Sequence, residues 1–277
     1  MIDPNSSNFL TAIASVFLAL VGLVQLSVLY AQKKQTRIAL TEQYRQLWDS
    51  LKNHWGNIVF IGREIGEYYQ VLDAEAIHAL LNKTQNQQKP TIWALESIQK
   101  VCGILGEVST RVLQGHLAVS DIYPIFGTQF LRQSRPLRQI LDPEYPQSYY
   151  SDKTNEQHKL IRSEVQGWLL YHDGLRRRCL ILIDLLWAEA ARLEDLPPYD
   201  MKSAADAKQQ TGKLNRTRVR QEVIRLNGIL KIFHSFTLSG LLRKAEYRSW
   251  KNWKGINPKK LDKLDDTWTK RILGERF

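Results

Sequence analysis

Residues 9–30 read FLTAIASVFLALVGLVQLSVLY, twenty-two positions without a charged side chain. A helix rises about 1.5 Å per residue, so this run covers the ~30 Å hydrocarbon core of a bilayer and predicts a transmembrane helix. The competing reading, a cleaved signal peptide, needs a positive leader and a shorter apolar core; the preceding segment MIDPNSSN carries only Asp3. Lys33, Lys34, Arg37 and Arg45 all follow the run and no basic side chain precedes it. That asymmetry predicts residues 1–8 outside and the bulk of the chain in the cytosol, as a single-pass protein of the cell inner membrane. Tyr30 falls at the inner boundary, where an aromatic ring with a polar tip suits the headgroup layer.

Within the run, Thr11, Ser15, Ala19, Gly22 and Gln25 recur at spacings of four, four, three and three and share one helix face. Small side chains let two helix backbones approach closely, and an intramembrane glutamine prefers a hydrogen-bonding partner to lipid. The stripe is the expected helix–helix interface in the membrane, and a homo-oligomer the expected assembly. The blander reading is that small and hydroxyl residues are common in any span.

The remainder has a globular composition: 43% apolar residues, eight tryptophans and 24% charged residues. Ile38, Leu40, Tyr44, Leu47, Leu51, Trp55, Ile58, Ile65 and Leu72 recur at helical spacing and predict a long amphipathic helix after the anchor. A short helix is expected over 73–83 and a polar loop, TQNQQKPT, over 84–91. A second long helix follows over 92–117, with Leu95, Ile98, Val101, Leu105, Val108 and Val112 along one side. The pattern stays helical over 121–141 despite Pro124 and Pro136, then gives way to an irregular stretch, DPEYPQSYYSDKTNEQ. A helix over 160–196 contains CLILIDLLWAEAARL; this apolar run is too short for a span and carries Asp184, which suits a buried core helix. Residues 199–213, YDMKSAADAKQQTGK, read as a polar linker. Beyond it, Val219, Val223, Leu226, Leu230 and Phe233 give one more apolar face, and Leu261, Leu264, Trp268 and Ile272 after Pro258 another. No alternating β-branched runs stand out and no long period repeats, so the expected fold is all-α. The domains read as the anchor at 9–30, a cytosolic helical bundle at 31–198, the linker at 199–213 and a basic helical C-terminal region at 214–277.

Charge is concentrated in that last region. From Thr211 onward there are seventeen Lys and Arg against six Asp and Glu, a surplus that accounts for the whole formal net charge of +11. Arg243, Lys244, Arg248, Lys251, Lys254, Lys259 and Lys260 are interleaved with Tyr247, Trp250 and Trp253. Aromatics among basics suit a lipid interface or stacked nucleic-acid bases. A tether beside an anionic leaflet favours membrane lipids as the partner, with nucleic acid as the alternative and a merely solvated basic face as the bland reading.

The stretch ALESIQKVCGILGEVSTRVLQGHLAVSDIYPIFG, residues 94–127, resembles a pattern in uncharacterised bacterial proteins with an N-terminal membrane helix and a helical cytosolic domain. The resemblance covers roughly residues 9–141, implies that same architecture, and carries no catalytic residue across. Arg111 and His116 also fit the spacing of a divergent ribonuclease-like signature found in membrane-anchored antiviral defence proteins, an Arg followed after four to six residues by His. Val112 departs from that family's polar position.

Other chemistry finds no footing. Phosphate-loop, zincin and hydrolase-elbow motifs are missing from the sequence. Cys102 and Cys179 are the only cysteines, in apolar helical settings that suit a reducing compartment, and no Cys/His cluster has metal-ligand spacing. His172 and Asp173 are adjacent and so point to different helix faces, while His54, His78, His158 and His234 lack a partner at useful spacing. Neither a catalytic set nor a cofactor or metal site is expected. The sequence therefore predicts a self-associating membrane scaffold or effector without chemistry of its own, with a membrane-tethered nucleic-acid-binding or nuclease-like defence effector as the alternative.

Overall fold

A computed structural model describes residues 4–63, 72–85, 91–142 and 156–274, with backbone alone at 4–13, 269 and 271–274. Among the described residues every regular element is helical, ten α-helices in all, and β structure is limited to two isolated bridge pairs. The chain divides into two units, Met1–Gln43 and Tyr44–Phe277.

The described part of the first unit, residues 4–43, lies within helix α1 (Pro4–Ser50). By length and composition α1 is sufficient to cross a membrane, and none of its apolar window is buried within the chain. Val16, Phe17, Leu18, Leu20, Leu23, Val24 and Leu26 are all exposed. A continuous apolar surface of this size is costly in water and is what hydrocarbon solvates.

The second unit starts with the last turns of α1. The helix breaks at Leu51 (φ −97°, ψ 6°) and resumes as α2 (Lys52–Gly62). The amphipathic pattern predicted continuation to Leu72, but the helix stops where Gly62 meets α5: a Cβ there would lie 2.5 Å from the Cβ of Pro136. Arg63 is already extended, Ile65 lies outside the described residues, and Leu72 is not helical. Helix α3 (Ala74–Gln85) is capped by Asp73, whose Oδ1 accepts the Ala76 N–H at 2.7 Å.

Helix α4 (Ile92–Leu113) ends before the expected residue 117 because Gly115 turns the chain at φ 75°. Helix α5 (Val119–Leu141) bends at Gly127, whose φ of 64° interrupts the helical backbone. The expected helix over 160–196 is two helices, α6 (Glu156–Tyr171) and α7 (Asp173–Leu193), separated at His172 (φ −103°, ψ 47°). Most of the irregular stretch expected before them lies outside the described residues.

Helix α7 packs against α4, α5 and α8 (Pro198–Asn227) and also α9 (Ile232–Leu242). That explains why Cys179 through Leu186 are buried without a break, Asp184 included. The apolar run is a core helix, as its length and its aspartate implied. Across the α4–α7 contact, the Cys179 Sγ lies 3.4 Å from the Cys102 carbonyl. Trp48, Trp55, Phe126 and Phe130 form an aromatic cluster with centroid separations of 5.0–5.7 Å, and Trp55 donates to Gln133 Oε1 at 3.2 Å.

Two expectations for the C-terminal third need correction. Residues 199–213 are not a linker: they belong to α8, with Pro198 in its first turn and Met201, Ala205, Lys208 and Gly212 buried at spacings of four, three and four. Their small and polar side chains hide that periodicity from a hydropathy reading. The apolar face expected through Leu230 and Phe233 breaks after Leu226, because α8 ends at Asn227 and Gly228 turns at φ 68°. Val219 and Val223 are buried, whereas Leu230 is 94% and Phe233 82% exposed. Helix α10 (Pro258–Gly274) starts at the expected proline and buries Leu261.

Candidate functional site

Helices α7 and α8 are braced near their middles by an ion centre. The buried Asp184 carboxylate accepts from Arg138 of α5 at 2.8 Å and from Lys208 of α8 at 3.0 Å. Burial alone pushes the Asp184 carboxyl up, but Lys208 and Arg138 outweigh it and hold it well below the usual carboxylate range. Farther along, α7 ends at Leu193 with Glu194 in the left-handed region (φ 59°), and Pro198 starts α8 beside it.

After α9 the chain folds back as a short hairpin. The Arg248 N–H donates to the Ile256 carbonyl at 2.7 Å and the Ile256 N–H to the Glu246 carbonyl at 2.8 Å. Ser249 and Asn252 exchange both backbone hydrogen bonds, leaving Trp250 and Lys251 at the tip. Gly255 is required, because a Cβ would lie 2.3 Å from the Glu246 carbonyl oxygen. The buried Asn252 amide donates to the Arg243 and Tyr247 carbonyls at 3.0 and 3.1 Å. Tyr247 donates to Asp206 of α8 at 2.8 Å; burial and that hydrogen bond push its hydroxyl up to about 12.

Between the hairpin, the α7 end, the α8 start and α10 lies an open cleft of about 270 Å³. Lys244, Arg248, Lys254 and Lys260 line it together with Arg192, over a floor that includes Met201, Leu261 and Leu264. Two of these cations are neutralised, Arg192 by both carboxylate oxygens of Glu189 and Lys260 by Glu194. Lys244, Arg248 and Lys254 have no ion-pair partner among the described residues. Three uncompensated positive charges around a concavity favour a multiply charged anion.

The structure thus divides the predicted C-terminal cluster. Lys244, Arg248, Lys254 and Lys260 converge on the cleft. Trp250 is fully exposed at the tip with Lys251, and Trp253 is exposed with the Lys254 ammonium 5.0 Å from its ring centre. Arg243 and Tyr247 hold the hairpin, and Lys259 faces solvent in the first turn of α10. Sequence reading missed Arg192, Glu194 and Met201, which come from α7 and α8. Their only sequence signal was a charged last turn on α7 ahead of the Pro197–Pro198 stop.

On α1, Ser15, Ala19, Gly22 and Gln25 keep their common face; Thr11 lies where side chains are outside the described residues. A Cβ placed on Gly22 would meet nothing within 4 Å inside this chain. Arg111 is engaged by Glu107 at 3.6 Å and by Tyr44, whereas His116 is exposed on the turn after α4. His172 stacks on Trp168, and Asp173 pairs instead with Arg176 and Arg177. His54 meets Ser97, His158 donates to the Ile61 carbonyl and His234 to the Val112 carbonyl. Among the described residues no group of three or more His, Cys, Asp or Glu side chains forms a metal-binding set. The chain matches no family model, no curated protein and no solved structure.

Proposed function

We propose that the chain is a single-pass scaffold of the cell inner membrane, with its helical bundle in the cytosol and a basic cleft that captures a phosphate-bearing partner. The protein self-associates through the Thr11, Ser15, Ala19, Gly22 and Gln25 stripe and performs no chemistry of its own. The observation that carries the capture role is the cleft: Lys244, Arg248 and Lys254 stand unpaired around it while their neighbours Arg192 and Lys260 are neutralised.

Membrane lipids and nucleic acids both supply phosphates. The position of the cleft favours nucleic acid over the lipid of the anchoring leaflet. Met201 at the cleft and Asn227 at the other end of α8 are separated by about 40 Å of helix. Asn227 donates to the Leu113 carbonyl, at the end of α4 where Tyr44 brings the chain into the folded unit and bonds Glu107. Within the folded unit the cleft is therefore remote from Tyr44, its first residue. The exposed Trp250 and Trp253 beside it offer ring faces on which unpaired bases stack.

The test is fluorescence anisotropy of the full chain in nanodiscs with a labelled single-stranded RNA of mixed sequence, against Lys244→Glu, Arg248→Glu and Lys254→Glu combined. Binding weakens with salt at a slope of about −0.7 per phosphate contacted, and the triple reversal abolishes it. Equal binding by both proteins removes the cleft as the capture site. RNA cleavage lost on changing Arg111 or His116 restores the nuclease-like reading.

A further inference from the structure

Where α8 turns into α9, the structure leaves apolar side chains uncovered. Ile229 is 76%, Leu230 94% and Phe233 82% exposed, and Phe236 lies one turn farther along. Phe233 and Phe236 are three apart on one face of α9, which buries its opposite face through Ser235, Leu238, Ser239 and Leu242, and Ile229 and Leu230 lie in the short 3-10 turn just before it. The exposure is built in. Gly228 makes the turn at φ 68°, the Asn227 amide donates to the Leu113 carbonyl at 3.1 Å, and the His234 ring donates to the Val112 carbonyl at 2.8 Å. These bonds fix the apolar loop to the end of α4.

That end of the unit is also where the chain arrives. Tyr44, the first residue of the unit, donates to Glu107 Oε1 at 2.9 Å, about 8 Å along α4 from Val112. Within the unit the run from the end of α1 through α2 is antiparallel to α4, since Tyr44 of α1 meets Glu107 whereas His54 and Asn57 of α2 meet Ser97. The thirteen residues 31–43 separate Tyr44 from the apolar span and reach at most about 20 Å as helix. Cations rim the loop: Lys231 is exposed within it and Arg220 lies 5.0 Å over the Phe236 ring, while Arg225 on the last turn of α8 is paired with Glu222.

We infer that the apolar loop, meaning the Ile229–Lys231 turn together with the first turn of α9 through Phe236, is a second membrane contact, inserting into the interfacial layer of the anionic leaflet crossed by the N-terminal helix. Bulky apolar side chains with a basic rim match an interface of acyl chains under negatively charged headgroups. A short tether holds the loop beside that surface, so insertion is nearly intramolecular. The inference rests on the anchor reading.

Both native cysteines are buried, so a single introduced thiol is labelled selectively. The full chain carrying Lys231→Cys, which keeps all four apolar side chains, is labelled with an environment-sensitive fluorophore and reconstituted in vesicles of phosphatidylcholine and phosphatidylglycerol. Lys251→Cys at the hairpin tip serves as the reference. Expected are several-fold weaker iodide quenching at 231 than at 251, quenching by brominated lipid at 231 alone, and loss of both differences in Leu230→Ser plus Phe233→Ser. Chains that float with the vesicles yet show equal iodide quenching at both sites overturn the inference while leaving the anchor intact. Shielding at 231 that ignores brominated lipid and disappears as lipid dilutes the protein assigns the loop to a second copy and overturns it too. Chains that fail to float overturn the anchor reading and the inference with it.

Discussion

At Asn227, α8 hands the chain to a loop that leaves Leu230 and Phe233 in the open; about 40 Å back along the same helix, Met201 sits in a cleft rimmed by cations. Both ends carry positive charge, yet they differ in what accompanies it. At the Asn227 end the cations flank bulky aliphatic and aromatic side chains, and backbone carbonyls of α4 fix the loop. At the Met201 end three cations surround a concavity and the indoles stand outside it, on the hairpin tip. A net charge of +11 therefore says little about partners until its apolar company is known. In the proposed reading the same composition serves a leaflet contact at one end and capture of a soluble polyanion at the other.

The largest expected effect comes from removing what holds both ends on one helix. Asp184→Asn leaves the buried Lys208 and the half-buried Arg138 without their counter-charge and should cost about 3 kcal/mol, read by thermal or urea unfolding of the detergent-solubilised chain. RNA binding and loop insertion should then fail together on heating. The Asp184 carboxyl is held below its unfolded value, so its stabilisation is present above about pH 4 and lost as pH falls below that. The wild type should show this acid loss and the Asn variant a flatter profile; parallel profiles would mean the centre does not link the two ends.

Trp250→Ala isolates the cleft end. A stacked base is worth about 1–3 kcal/mol, so RNA affinity should fall by that amount while the salt slope and the melting temperature stay as in the wild type. An unchanged affinity would reduce this end to its cations and weaken the case for nucleic acid. The smallest effect belongs to the other unit. Gln25→Leu removes one intramembrane hydrogen-bonding group, worth about 0.6 kcal/mol, and should shift crosslinked oligomers modestly toward monomer without touching either end of α8. No shift would move self-association from the stripe to the folded unit.

How much of this was legible beforehand depended on whether neighbours or distant contacts decided it. The α3 start at Asp73, the α10 start at Pro258 and the core character of the Asp184 helix follow from side chains within a turn or two of each position. The end of α2 at Gly62 does not, because it falls where Gly62 comes against Pro136 of α5, so close that a Cβ would lie 2.5 Å away. Residues 199–213 read as a linker for the same reason: Ala205 and Gly212 are apolar only in being small, and what makes them core is the surface brought against them. Leu230 and Phe233 failed in the opposite direction. They keep a helical spacing with Val219 and Val223, but Gly228 resets the backbone phase and turns them outward.

The sequence by itself determined the helical class and that one N-terminal helix is long and apolar enough to cross a membrane, since hydrophobic period and helix length are local or additive quantities. Only the tertiary structure decided which of the C-terminal cations remain unpaired and which apolar side chains remain uncovered. Those outcomes depend on Glu194 reaching Lys260, and on the carbonyls of Val112 and Leu113 meeting His234 and Asn227 across more than a hundred positions of sequence. Pairing and burial are properties of positions in space, and they emerge once distant segments have packed against one another.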